Sequence, residues 1–153
     1  MLAAGALVSK TTKGGRNALH VAAERNHSAV LERILAGGEA AAAMNEKDRD
    51  GRTPLMLAAQ GNAADACKTL VAGGADMELT DTSEDEDTAL LIAARLGALD
   101  AARALAEAGA DYYMTEDGGG SKAFDAARQG IHPSEERREE VYDALLDVML
   151  DRE

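Results

Sequence analysis

Three stretches of this chain carry the same order of apolar and polar positions, and a fourth follows it more loosely: GGRNALHVAAERN, DGRTPLMLAAQGN, DEDTALLIAARLG and GGSKAFDAARQG. Their apolar anchors, Leu19, Leu55, Leu90 and Phe124, lie 36, 35 and 34 residues apart. Each anchor is followed by a small-residue pair: Ala22-Ala23, Ala58-Ala59, Ala93-Ala94 and Ala126-Ala127. The spacing predicts a short first helix in each stretch. The segments LERILAGGEA, CKTLVAGGAD and ARALAEAGAD follow the first three and predict leucine-rich second helices that stop at glycine. The alanine pairs let two antiparallel helices approach closely. A period of this length marks a stacked solenoid.

The punctuation between the helices fits that reading. Thr53 can cap its helix, and Pro54 then takes the first helical position, where a missing N–H costs nothing. Gly74 and Gly109 can adopt the left-handed conformation that ends a helix. Between first and second helices stand Asn26, Asn62 and Gly97. Asparagine is the most frequent non-glycine residue at positive φ, so Asn26 and Asn62 are read as serving the backbone rather than a ligand. On that reading, glycine should replace Asn62 without loss.

Together these residues resemble the ankyrin repeat. Thr53-Pro54-Leu55-Met56 stands for the family's Thr-Pro-Leu-His, and Asn17-Ala18-Leu19-His20 and Thr88-Ala89-Leu90-Leu91 are variants of it. Asp48-Arg49-Asp50-Gly51 and Asp117-Gly118-Gly119-Gly120 match its hairpin turn, and Gly74-Ala75-Asp76 and Gly109-Ala110-Asp111 its helix ending. The resemblance implies an all-α ankyrin-repeat solenoid of helix-turn-helix units joined by β-hairpin-like loops, over one domain, 1–153. Its expected divisions are repeat 1 at 12–47, repeat 2 at 48–80, repeat 3 at 81–116 and a C-terminal capping repeat at 117–153. Residues 1–11 read as the tail of a partial repeat, because Leu2-Ala3-Ala4-Gly5-Ala6 falls in phase with Leu70 to Ala75. The chain is therefore expected to be cut from a longer array or to pack a neighbour at its N-terminal stack end. In the capping repeat, Lys122 replaces the motif threonine. Ser134 is expected to cap a helix running to Met149, with Val141, Leu145, Val148 and Met149 on one face.

Composition narrows the picture. Aromatics make up 3% of the chain, so the core must be aliphatic and alanine-rich. Cys67 is the single cysteine, which rules out an internal disulfide and favours a reducing compartment, cytoplasm or nucleus. No run approaches the ~20 apolar residues of a membrane span, so no membrane insertion is expected. The net charge of −12 is carried by two blocks, residues 76–87 with seven acids and no base and residues 134–153 with eight acids and three bases. The rest of the chain balances. With no basic stripe to displace counterions, nucleic acid is not expected as a partner.

No catalytic constellation emerges, so the chain is read as not an enzyme, with no cofactor and no metal. His20 sits at the family's motif histidine, which the resemblance implies bonds neighbouring backbone. His27 is read as a surface residue at a helix start, and His132 lies in a loop. Cys67 is in phase with core positions, and a buried thiol is inert. Gly118-Gly119-Gly120 lacks the Lys-Ser/Thr of a phosphate loop. The carboxylates at 84–87 have neither a pocket for acid–base work nor the spacing of an EF-hand.

What remains is surface. In ankyrin stacks the hairpin fingers and inner helices meet the ligand, and the resemblance carries that role to Lys13 and Arg16 in the first finger. In the second finger it falls on Arg49, Asp50 and Arg52, and in the fourth on Gly118, Gly119 and Ser121. The third finger runs from Thr82 to Asp87 and contributes Glu84, Asp85, Glu86 and Asp87. At the inner helix ends stand Glu24, Arg25, Gln60, Arg95, Leu96 and Gln129. Of Tyr112 and Tyr113, strand alternation should turn one inward and one outward, and Tyr113 is the candidate anchor. The linker GGEAAAAMNEKDRDG is three residues longer than the 33-residue period requires and the one holding TSEDED two residues longer, which neutral drift would explain. Four consecutive acids repel one another and should add nothing to stability; they suit a basic partner. Thr82 and Ser83 weakly resemble an acid-directed kinase site. The expected function is protein binding, as adaptor or scaffold; the alternative is a regulatory or inhibitory domain of a larger protein.

Overall fold

The computed structural model describes residues 10–38, 40–112, 122–132 and 134–151. Among these residues it contains eight α-helices and no strand. They are α1 (Ala18–Glu24), α2 (Ser28–Ala36), α3 (Pro54–Gln60), α4 (Ala64–Ala72), α5 (Ala89–Leu96), α6 (Leu99–Ala108), α7 (Lys122–Gln129) and α8 (Glu135–Leu150). The odd-numbered helices pack in one layer, α1 on α3 on α5 on α7. The even-numbered ones form a second layer, α2 on α4 on α6 on α8. Each inner helix also contacts its own outer partner. The result is the two-layer stack the sequence pattern implies.

The core runs between the layers. Leu19, Leu55 and Leu90 are buried with the three alanine pairs that follow them, so the close helix approach is realised. Phe124 is only partly covered, because α7 has no further inner helix on its far side among the described residues. Its ring instead meets Tyr142 of α8 edge to face at 4.9 Å. Val141 and Leu145 of α8 are fully buried, and Val148 and Met149 pack against the core from the same face.

Caps set the helix starts. Asn17 accepts from the backbone N–H groups of Leu19 and His20, Thr53 from Met56, Thr88 from Leu91 and Ser134 from Arg137. Gly74, Gly97 and Gly109 hold positive φ at the helix ends. Asn26 and Asn62 do the same at φ 55° and 53°.

The longer first linker is built into the fold. It forms a 3₁₀ turn at Ala43–Asn45 that buries Ala40, Ala43 and Met44. The Ala43 carbonyl accepts from the Asn17 amide at 3.0 Å, and Asn45 Oδ1 accepts the Asp76 N–H at 3.0 Å. Tyr112 is buried, the inward half of the expected alternation. Tyr113, the turn at Gly118 to Gly120, Ser121 and the segment from Leu2 to Ala6 lie outside the described residues. Among the described residues no helix is long and apolar enough to cross a membrane.

Candidate functional site

Among the described residues three fingers project, one before α1, one between α1 and α3 and one between α3 and α5, and one device closes all of them. The N–H of Thr12, Asp48 or Asp81 donates to the carbonyl of Arg16, Arg52 or Asp87, at 2.9, 2.9 and 3.0 Å. The side chain of the opening residue accepts the return bond. Thr12 Oγ1 takes the N–H of Arg16, Asp48 Oδ1 takes those of Asp50 and Arg52, and Asp81 Oδ1 takes those of Ser83 and Asp87. The residue before the closing position needs positive φ, and Gly15, Gly51 and Glu86 supply it at 75°, 75° and 50°.

The closing residue then reaches the end of its own inner helix, eight residues on. Arg16 bonds Glu24 at 3.1 Å, Arg52 bonds Gln60, and Asp87 accepts from Arg95 at 2.9 Å. In the third finger the sign of the pair is reversed. Arg95 also holds Asp85 at 2.8 Å. Two of the four acids of 84–87 are thus ion-paired rather than free in a solvated loop. Asp87 is 7% exposed and paired, Asp85 is paired, and Glu84 and Glu86 are exposed.

Adjacent fingers are fastened to each other. The Arg49 N–H donates to the Gly14 carbonyl at 3.0 Å, Arg16 Nε to Asp48 at 3.1 Å, and Thr82 Oγ1 to the Asp50 carbonyl at 3.1 Å. His20 adds a buried link: its Nδ1 accepts the Asn17 N–H, and its Nε2 lies 3.0 Å from the Arg52 carbonyl, to which it donates. Burial holds this imidazole below its ordinary pKa despite that bond, so it serves as a neutral strut.

Burial works to raise the Asp48 carboxyl, but the backbone N–H groups of Arg52 and Asp50 and the Arg16 guanidinium outweigh it, and its pKa falls. Asp87 goes the other way. Burial raises it, Asp81 and Asp85 add repulsion, and Arg95 offsets only part. Two aspartates in the same row of fingers are thus pushed in opposite directions. Cys67 is pushed up to about 12 by burial, which removes it as a nucleophile at neutral pH.

Of the residues the sequence singled out, Arg49, Asp50, Glu84, Glu86 and Gln60 stand exposed along this edge. Arg16 spends its charge internally on Glu24 and Asp48, and Arg95 on Asp85 and Asp87. Arg52 is half-buried beside Gln60. Arg25 is exposed at the end of α1, and Leu96 packs partly into the core. Between the third finger and α5 and α7 lies a groove of about 420 Å³, floored by Leu91 and Ala126 and walled by Glu84, Arg95, Lys122 and Asp125. Among the described residues no cluster of His, Cys, Asp or Glu could hold a metal ion.

The hairpin motif had picked out Asp48 but not Asp81, because the two-residue insertion breaks the motif's spacing there. The asparagines do more than the sequence suggested. Asn26 Oδ1 accepts the Ala66 N–H and Asn62 Oδ1 the Ala101 N–H, each at 3.0 Å and each at the start of the next outer helix. These are N–H groups that a helix cannot satisfy itself. Replacing Asn62 by glycine therefore removes a bond between repeats, contrary to the expectation of no loss.

A family model for ankyrin repeats (3 copies) matches residues 1–81 and 19–116 of the chain. Over 66 residues the chain is 42% identical to protein phosphatase 1 regulatory subunit 12A of Mus musculus, and equally to that of Rattus norvegicus. The match covers 43% of this chain and 6% of those proteins, so the chain spans a small fraction of their length.

Proposed function

The chain belongs to the ankyrin repeat family, and from that premise we propose that it is a non-catalytic adaptor or scaffold whose finger edge is the binding surface. Ankyrin repeats bind protein partners. One observation carries the choice of edge: fingers one to three are bonded tip to tip, through Gly14 to Arg49 and Asp50 to Thr82, while Lys13, Arg49, Asp50, Glu84 and Glu86 point to solvent. A template ordered before binding loses little entropy on binding. The part of the partner that meets the third finger is basic, because Glu84 and Glu86 face outward there. The buried, unpaired Cys67 suits an intracellular setting.

A second reading rests on the 66 residues shared with a protein named as a phosphatase regulatory subunit. On this reading the chain acts as a regulatory or inhibitory element of a larger assembly, through the same edge.

The test is affinity capture with the immobilised chain, run beside a variant in which Arg49, Asp50, Glu84 and Glu86 are serine. Partners retained by the parent and lost from the variant support the finger edge. An unchanged set of partners, or substrate turnover by the chain alone, overturns it.

A further inference from the structure

Overall charge describes this molecule poorly, because charge on the finger edge is sorted along the stack. The first two fingers, residues 10–16 and 47–52, hold six bases and two acids, while the third, 81–87, holds five acids and no base. Internal pairing takes charge from both poles, Arg16 with Asp48 and Glu24 and Arg95 with Asp85 and Asp87, and leaves their signs opposite. Asp48 is buried and already bonded to Arg16, so it offers nothing outward. Arg52 has neutral Gln60 as its partner at the helix end, so its charge is not cancelled there. Lys10, Lys13, Lys47 and Arg49 are exposed. In the third finger Arg95 is occupied by Asp85 and Asp87, and Glu84 and Glu86 stay exposed. Lys122 and Asp125 line the groove beside it and bring one charge of each sign.

Resting on the reading of this edge as a protein-binding surface, we infer that its partner presents a bipolar segment, acidic where it meets fingers one and two and basic where it meets finger three. The tip-to-tip bonds hold the two poles in fixed order, so the polarity sets the direction in which the segment lies. A uniformly basic partner would be repelled at Lys47 and Arg49. A uniform polyanion would be repelled at Glu84 and Glu86. Like charges placed opposite one another are what make the wrong orientation unfavourable.

The experiment uses three synthetic peptides of equal length: one Glu-rich in one half and Lys-rich in the other, one all-Lys and one all-Glu. Each half is about six residues, roughly 20 Å extended. Binding to the full chain is followed by NMR at low ionic strength, with a spin label on either end of the bipolar peptide. The expected result is about tenfold tighter binding of the bipolar peptide, lost near ~0.5 M salt. The label on the Lys end should broaden residues 82–87, and the label on the Glu end residues 47–52. Lys47→Glu with Arg49→Glu should abolish the preference while leaving the helical CD spectrum unchanged. Equal or tighter binding of the all-Lys peptide, or equal broadening of both fingers from either label, overturns the bipolar edge. Those results would leave protein binding standing if the serine variant still loses its captured partners, so the two readings fail separately.

Discussion

The second and third fingers do the same structural work with opposite charge. Both are opened by an aspartate whose carboxylate gathers the turn's N–H groups, and both are closed by a residue that reaches the end of its inner helix. In the second finger that residue is Arg52, meeting Gln60. In the third it is Asp87, meeting Arg95. The loop of the third finger is two residues longer, and its positive-φ position holds Glu86 where the second has Gly51. The stack constrains the contact between finger and helix. It does not constrain which end of the contact bears which charge, and so the charge of the outer edge is free to vary from repeat to repeat.

The largest difference should appear at the opening aspartates. Asp48→Ala would strand the N–H groups of Asp50 and Arg52 and the Arg16 guanidinium around a site 6% exposed. A loss of about 3 kcal/mol is expected in denaturant unfolding. Asp81→Ala, in a more open loop that water can reach, should cost about 1 kcal/mol. Equal losses would mean that the two fingers are equally important to the fold.

Next come the turn residues. Gly51→Ala must place a Cβ against Thr82 at positive φ and should cost about 2 kcal/mol. Glu86→Gly relieves the same backbone conformation and should gain about 0.5–1 kcal/mol. No gain would show that the Glu86 side chain supports the loop in some other way.

Much of this molecule could be read from its sequence, and the limits of that reading have a physical cause. Leu19, Leu55, Leu90 and the alanine pairs revealed the stack because burial imposes a period on apolar positions. Caps at Thr53 and Ser134 were legible because they act within one turn of chain. The bonds from Asn26 to Ala66 and from Asn62 to Ala101 were not, because their partners lie 40 and 39 residues away. Glu86 was read as one more acid in a run, because a two-residue insertion hid its alignment with Gly15 and Gly51. The candidate edge followed from the family resemblance, but which of its charges face outward depended on pairings such as Arg95 with Asp85 and Asp87.

A smaller effect is expected at the closing pairs. Arg95→Ala leaves Asp87 without its cation, and with solvent screening at an arginine 35% exposed the loss should be about 1 kcal/mol. Arg52→Ala removes a bond to a neutral, exposed amide and should cost less than that. Asn62→Gly should cost about 0.5–1 kcal/mol through the lost Ala101 bond, partly offset by the glycine's ease at positive φ.

The pH dependence separates the fingers by sign. Asp48 has a depressed pKa, so its contribution is full above the ordinary carboxylate value and is lost as pH falls through its own. Asp87 has a raised pKa, so stability is lost as pH rises from the ordinary carboxylate value through the raised one, and acid restores it. Over the acid range, Asp48→Asn should flatten the fall in stability relative to the parent, and Asp87→Asn should steepen it. Parallel profiles for the two variants would contradict the opposite shifts.

The central claim is that the finger edge, not the outer helices, meets the partner. Cross-linking mass spectrometry on a captured complex tests it most directly, using amine- and carboxylate-reactive reagents. The account predicts cross-links at Lys13, Lys47, Glu84 and Glu86. Cross-links confined to Glu32, Lys68 and Glu107, exposed on α2, α4 and α6, would contradict it.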